Sequence, residues 1–292
     1  MYGIVLAGGT GSRLWPITKG VSKQLLQVYD KPMIHYPIAT LMAAGIRKFL
    51  IIVTQQDKAA FMSLLGDGND LGLSFEFATQ DRPRGIADAF LIGEKFISGN
   101  KCALILGDNI FHGSGLGRQL MEHNDVQGAH IFAYRVANPT EYGVVEFDGD
   151  GKVISIEEKP KNPRSSFAIP GLYFYDESVT EIAKQIKPSD RGEIEITEIN
   201  KEYLRRNALS VSVLPRGTAW LDTGTIDALH DASSYIRIIE DRQGTKVSCL
   251  EEVSWRQGWI SDSELESLAN GYGSSPYGSF LKSLLISGKE NE

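Results

Sequence analysis

Short, continuously apolar runs recur in the first third of the chain: Gly3 to Ala7, Phe49 to Thr54 and Cys102 to Leu106. A run of that length without polar alternation predicts a strand buried on both faces, as in a parallel sheet. Between the first two runs, Ile34, Ile38, Leu41 and Met42 share one helical face. Pro32 suits a first turn and Gly45 an end, so a helix is predicted over Lys31 to Ile46. Strand, helix and strand in alternation predict an α/β fold: a doubly wound, mostly parallel (Rossmann-like) mixed sheet with helices on both faces.

The middle of the chain changes character. Ile131 to Val136, Gly143 to Phe147, Val153 to Glu157 and Leu172 to Tyr175 read as short strands, and Asp148-Gly149-Asp150-Gly151 as a hairpin turn. Beyond Asp222 helical spacing takes over, with Leu229, Ala232, Ile236 and Ile239 along one face. The expected division is an α/β core over residues 1–221, with inserted strands, and a C-terminal helical region over 222–292 packed on it. Ser287 to Glu292 reads as a frayed tail.

Composition narrows the function classes. The 292 residues are 42% hydrophobic and 23% charged, enough to bury a sizeable core. A net charge of -7 without a dense Lys/Arg run argues against nucleic acid as partner. Local cations could still serve a small phosphorylated substrate. Two cysteines, Cys102 and Cys249, make neither a disulfide framework nor a zinc site. Met1-Tyr2-Gly3 leads straight into a strand pattern, and no apolar run approaches the roughly 18 residues of a membrane span. The expectation is a cytoplasmic enzyme with no membrane partner.

The sharpest local feature is Leu6-Ala7-Gly8-Gly9-Thr10-Gly11-Ser12-Arg13-Leu14, directly after a strand. Glycines let several backbone N–H groups converge on one anion. The P-loop pattern is absent, and Leu14 stands where a dinucleotide fingerprint needs its third glycine, which disfavours a nicotinamide dehydrogenase. Arg13 can fork onto phosphate oxygens, and Lys23 adds a second cation in Lys23-Gln24-Leu25-Leu26. Asp108 follows a buried strand, at the edge where ligands sit in open α/β sheets. Asp222 lies beside a second glycine turn, Asp222-Thr223-Gly224. Magnesium takes one or two protein carboxylates plus phosphate oxygens. Spacing alone does not pair these two.

Gly8-Gly9-x-Gly11-x-Arg13-Leu14-x-Pro16, then Lys23-Gln24-Leu25-Leu26, then Lys31-Pro32-Met33-Ile34 together resemble the sugar-phosphate nucleotidyltransferases, in their short thymidylyltransferase branch. The resemblance runs from Gly3 to about Leu284. It implies Mg²⁺-dependent transfer of dTMP from dTTP to glucose 1-phosphate, as in the first step of dTDP-rhamnose synthesis. It implies nucleotide contacts at Leu6, Gly8, Gly9, Thr10, Gly11, Ser12, Arg13, Lys23, Gln24, Gln80, Pro83, Gly85 and Asp108, and a metal on Asp108 and Asp222. In Glu157-Glu158-Lys159-Pro160, the lysine would bind the sugar phosphate and Glu158 the hexose. Asn109, Tyr142, Gly143, Gly171, Tyr173, Arg191 and Trp220 fall in matching sugar-pocket segments. The catalytic set would be Arg13, Lys23, Asp108 and Lys159.

Gln80 offers a donor and an acceptor, as a thymine or uracil edge requires. The commoner family pattern has an aspartate before Gly85, where this chain has Arg84, and a proline after Leu26, where it has Gln27. These departures bear on base preference, which leaves a UTP-preferring uridylyltransferase as the alternative. A non-catalytic regulatory subunit on the same fold is the other alternative; the presence of Arg13, Lys23, Asp108, Lys159 and Asp222 argues against it. The resemblance also implies a homotetramer, and a second nucleotide site for dTDP-rhamnose as inhibitor, near Arg216, Gly217, Glu252, Val253 and Arg256.

Overall fold

The computed structural model describes residues 1–288. Its strands are β1 (Tyr2–Ala7), β2 (Gln27–Val28), β3 (Lys31–Pro32), β4 (Lys48–Val53), β5 (Ser74–Thr79), β6 (Cys102–Leu106), β7 (Asn109–His112), β8 (Ala129–Arg135), β9 (Gly143–Phe147), β10 (Val153–Glu158), β11 (Phe167–Ala168), β12 (Leu172–Tyr175), β13 (Leu209–Val213) and β14 (Ala219–Asp222). Its helices are α1 (His35–Ala43), α2 (Lys58–Leu65), α3 (Asp88–Ile92), α4 (Glu94–Ile97), α5 (Leu116–Met121), α6 (Val179–Gln185), α7 (Ile196–Arg205), α8 (Ile226–Gln243), α9 (Leu250–Arg256), α10 (Asp262–Gly271) and α11 (Pro276–Ser287).

Ten of the strands among the described residues form one mixed sheet in the order β10-β9-β11-β8-β12-β6-β1-β4-β5, with β13 beside β8. The β5-β4-β1-β6 portion is parallel throughout and has the strand order of half a doubly wound sheet. Continuous apolar runs suit it because both faces are covered. Val5, Ile51 and Ile105 pack on one side with α1, whereas Ile4, Ile52 and Leu104 pack on the other with Phe90 and Ile182. Each such side chain contributes about 1.5–3 kcal/mol on burial. The inserted strands join through β12, which runs antiparallel to both β6 and β8. The expected hairpin joins β9 to β10, closed by Asp148 N–H donating to the Lys152 carbonyl at 2.9 Å.

The first helix begins later than its periodicity suggests. Lys31–Pro32 is instead a strand that pairs with Gln27–Val28. The turn between them puts Tyr29 at φ 60, outside the helical region, and Pro32 has no N–H to continue a helix. The helix starts at His35 and stops before Gly45, whose φ is 83. At the far end, Ala232 and Ile236 of α8 form a separate apolar cluster with Val28, Met33 and Tyr36. Helices α9, α10 and α11 share another. Ser287 closes α11; the rest of the expected tail, 289–292, lies outside the described residues. Both cysteines are buried and unbridged. Among the described residues, no helix is long and apolar enough to cross a membrane.

Candidate active site

β1 and β6 pair in parallel with Leu6 opposite Leu106. The Gly8–Gly11 loop and the Gly107-Asp108 turn therefore leave the sheet at one edge, where the strand order reverses. Asp222 reaches that edge from another direction. β14 runs antiparallel to β7 with Asp222 opposite Asn109. Thr223 fastens the pairing, donating from N–H (3.1 Å) and Oγ1 (2.8 Å) to the Asp108 carbonyl. The two aspartates, far apart in the chain, thus become neighbours.

Their charges are unevenly compensated. Lys23 Nζ lies 2.5 Å from Asp108 Oδ2, with the lysine side chain 6% exposed and the aspartate 22%. Asp108 Oδ1 accepts from Asn109 Nδ2 at 2.9 Å. The Asp222 carboxyl is held above the usual carboxylate range by burial and then by the Asp108 charge, against the pull of Lys23 and Arg13. Two facing carboxylates of this kind suit a divalent cation, which would relieve their repulsion. Among the described residues no third His, Cys, Asp or Glu completes a cluster with them. Remaining coordination would come from water or substrate oxygens. Arg13 makes no ion pair among the described residues.

The opposite wall is built by the inserted strands and α7. Asn109 Oδ1 accepts from the Gly171 N–H at 3.1 Å and from Trp220 Nε1 at 2.7 Å. The Tyr142 and Trp220 rings meet with centroids 5.0 Å apart. Glu158 Oε2 accepts from Thr197 Oγ1 at 2.5 Å. Arg191 lies 2.8 Å from Glu195 and 3.8 Å from Glu158. Lys159 sits at φ 42 while its N–H donates to the Tyr142 carbonyl at 3.0 Å. A lysine in the left-handed region costs about 1–3 kcal/mol, a strain that clusters at functional positions. The Tyr173 hydroxyl is pushed well above its usual range by burial and then by Glu158.

A cavity of about 580 Å³ opens between these walls. Leu6, Gly9, Arg13, Gln80, Pro83, Gly85, Asp108 and Asp222 line its glycine-loop side. Asn109, Tyr142, Gly143, Glu158, Lys159, Gly171, Tyr173, Arg191 and Trp220 also line it. Gly8, Thr10, Gly11, Ser12, Lys23 and Gln24 do not line it. Lys23 acts on it through Asp108, and Gln24 lies beneath Gly107, where a Cβ would come within 3.0 Å of Gln24 Cγ. Arg216, Gly217, Glu252, Val253 and Arg256 also lie outside the lining. Glu252 is buried and pairs with Arg256 at 2.8 Å, and Val253 packs on the main core.

Several lining residues escaped the sequence reading. Glu195, Thr197 and Asn200 face the cavity from the start of α7. Thr197 and Asn200 are buried among Ile196, Ile199 and Tyr203. A polar residue on the apolar stripe of a strongly amphipathic helix was the available signal. The Arg84–Ala87 segment is clamped to Ile194, whose N–H donates to the Arg84 carbonyl at 2.6 Å and whose carbonyl accepts from Ala87 N–H at 3.1 Å. Gly85 is required there: its φ is 98, and a Cβ would fall 2.4 Å from the Ile194 carbonyl oxygen.

The model of the nucleotidyl transferase family matches residues 2–238. The chain belongs to the nucleotidyl transferase family. A glucose-1-phosphate thymidylyltransferase of Mycolicibacterium smegmatis is 58% identical over 285 residues, 98% of this chain and 99% of that protein. One from Neisseria meningitidis is 52% identical over 286 residues, again 98% and 99%. A Bacillus anthracis structure described as a glucose-1-phosphate thymidylyltransferase in complex with sucrose is 40% identical, with a TM-score of 0.75 over 81% of this chain and 96% of that one. The family's members are transferases.

Proposed function

We propose that the chain is a cytoplasmic enzyme that transfers dTMP from dTTP to α-D-glucose 1-phosphate, giving dTDP-glucose and pyrophosphate. One observation carries the reading: the β7–β14 register sets Asp222 beside Asp108, at the switch point and across one cavity from Glu158 and Lys159. The high identity to relatives named as glucose-1-phosphate thymidylyltransferases supports the substrate pair.

The reaction is a direct displacement. A phosphate oxygen of the sugar phosphate forms a bond to the α-phosphorus, and the bond from that phosphorus to the bridging oxygen of the β-phosphate breaks. Pyrophosphate leaves with the electron pair, and no side chain is modified. The chain contributes positioning and charge. The Gly8–Gly11 loop cradles the triphosphate, and Arg13 meets the charge that grows on the leaving pyrophosphate. Lys159 orients the acceptor phosphate and Glu158 holds the hexose, with Thr197 fixing its carboxylate. Mg²⁺ on Asp108 and Asp222 would supply charge neutralisation at the phosphates. Lys23 keeps Asp108 in place.

The product would enter dTDP-rhamnose synthesis, with dTDP-rhamnose inhibiting at a second site that includes Arg216, Gly217, Glu252, Val253 and Arg256, in a homotetramer. The catalytic reading is tested by pyrophosphate release across four nucleoside triphosphates and several sugar phosphates. Release is expected with dTTP and glucose 1-phosphate together and not with either alone. UTP differs from dTTP by one methyl and ribose, and a methyl alone is worth about 1–3 kcal/mol of discrimination. Equal or better turnover with UTP would reassign the enzyme as a uridylyltransferase.

A further inference from the structure

Asp88 opens α3 with no solvent exposure at all. A buried carboxylate is expensive unless paired. Here the pairing is built from one side by Arg84, whose NH2 lies 3.0 Å from Oδ1 and whose Nε donates to Oδ2 at 3.2 Å. From the other side, Gln80 Nε2 donates to Oδ2 at 2.9 Å. Gln80 lines the cavity, and Asp88 does not. Arg84 stands where the sequence departs from the commoner family pattern.

A carboxylate held in a guanidinium fork only accepts hydrogen bonds, so the amide atom facing it must be the nitrogen. The Gln80 oxygen is thereby turned away from Asp88. It lies over Gly8, where a Cβ would come within 2.7 Å, and accepts no hydrogen bond among the described residues. The amide edge offered to a base is then fixed: an acceptor at one point and the second N–H at the next. Thymine and uracil match that order, with a ring N–H for the oxygen and the adjacent carbonyl for the N–H. Cytosine presents the reverse order at the same two ring positions, an unprotonated nitrogen and an amino group, and matches only if the amide turns over.

We infer that Asp88, forked by Arg84, is a positioning residue that locks the Gln80 amide in one orientation and thereby selects a base with a ring N–H, thymine or uracil, against cytosine. This rests on the thymidylyl-transfer reading above. Asp88→Leu removes the acceptor at Oδ2 that Arg84 Nε and Gln80 Nε2 share. The Gln80 amide is then free to turn over and offer cytosine its matching edge.

The test is kcat/KM for dTTP and for dCTP, each with glucose 1-phosphate, in the wild type, Asp88→Leu, Arg84→Ala and Arg84→Lys. Because it is a ratio, the preference is blind to the fraction of folded enzyme. Asp88→Leu is expected to lower the dTTP preference by at least about ten-fold, the scale of leaving one buried polar group mismatched. Its KM for glucose 1-phosphate should stay within about two-fold, well under the effect of one lost hydrogen bond. Arg84→Ala removes the fork from a half-exposed position and should lower the ratio in the same direction, with partial recovery in Arg84→Lys. If Asp88→Leu does not fold, the two Arg84 variants decide. A wild type that prefers dTTP alongside folded variants with an unchanged ratio overturns the lock alone. A wild type that does not use dTTP overturns the functional reading and the lock with it.

Discussion

Replacing Lys23 by methionine separates stability from chemistry behind Asp108, in the wall of the cavity. The ammonium lies 2.5 Å from Asp108 Oδ2 and its side chain is almost fully buried. At that separation, with an effective dielectric constant of about 20, the gross attraction is roughly 7 kcal/mol. Asp108 keeps about a fifth of its exposure, so solvent screens part of this. Breaking such a pair by removing one partner typically costs about 3–5 kcal/mol. We expect Lys23→Met to lose about 3 kcal/mol of unfolding free energy in urea, because Asp108 then faces Asp222 with little compensation. Asp108→Asn in the same chain removes the stranded charge and should return stability to within about 1 kcal/mol of wild type. Turnover should not return. Both the single and the double variant are expected to lose at least about 10²-fold in pyrophosphate release, since a preorganised charge is gone. A Lys23→Met enzyme as stable as wild type, or a double variant with restored turnover, would refute the pairing argument.

Asp222→Asn should lower turnover by at least about 10²-fold at limiting Mg²⁺, yet leave unfolding free energy equal or higher, because burial and Asp108 already disfavour its charge; steady-state kinetics and urea melts on one preparation check both. Arg13→Ala is expected to depress kcat more than it weakens sugar-phosphate binding, and Lys159→Ala to raise KM for glucose 1-phosphate instead; identical kinetic patterns would contradict the division of the cavity. The pH dependence of stability has a definite sign. Burial, with His123 stacked 3.5 Å away, pushes His130 down to about 3, and burial pushes His35 down to about 4. The unfolded chain therefore binds these protons first, and stability falls as pH drops below about 6.5. Between pH 7 and 5.5 the loss should be about 1 kcal/mol per histidine, and His130→Gln should remove one share of it in urea unfolding.

How much of this was legible beforehand follows the range of each interaction. The buried strands β1, β4 and β6 announce themselves because both faces of a parallel strand are apolar. The same rule fails for Lys31–Pro32, where a left-handed Tyr29 and the missing proline N–H defeat an otherwise helical spacing. Asp108 and Asp222 are each visible beside a glycine turn, but their meeting depends on β7 and β14. These are strands of four residues, too short for periodicity to reveal. Lys23 reads as a phosphate ligand in sequence, whereas its partner in the fold is Asp108. Arg84 and Asp88 stand at i,i+4 spacing, which alone does not separate a buried pair from a solvated one. Thr197 and Asn200 were hidden because a buried polar side chain on an amphipathic helix gains meaning only once the cavity beside it is known.

The most direct measurement follows phosphorus. Enzyme, Mg²⁺, dTTP and glucose 1-phosphate are monitored together by phosphorus NMR, beside the Asp222→Asn variant. The proposed reaction requires a sugar-linked nucleoside diphosphate and pyrophosphate to appear in equal amounts, with no other phosphorus product and with the variant at least about 10²-fold slower. Hydrolysis of dTTP without a sugar diphosphate, or equal rates in wild type and variant, would contradict transfer at the Asp108–Asp222 site.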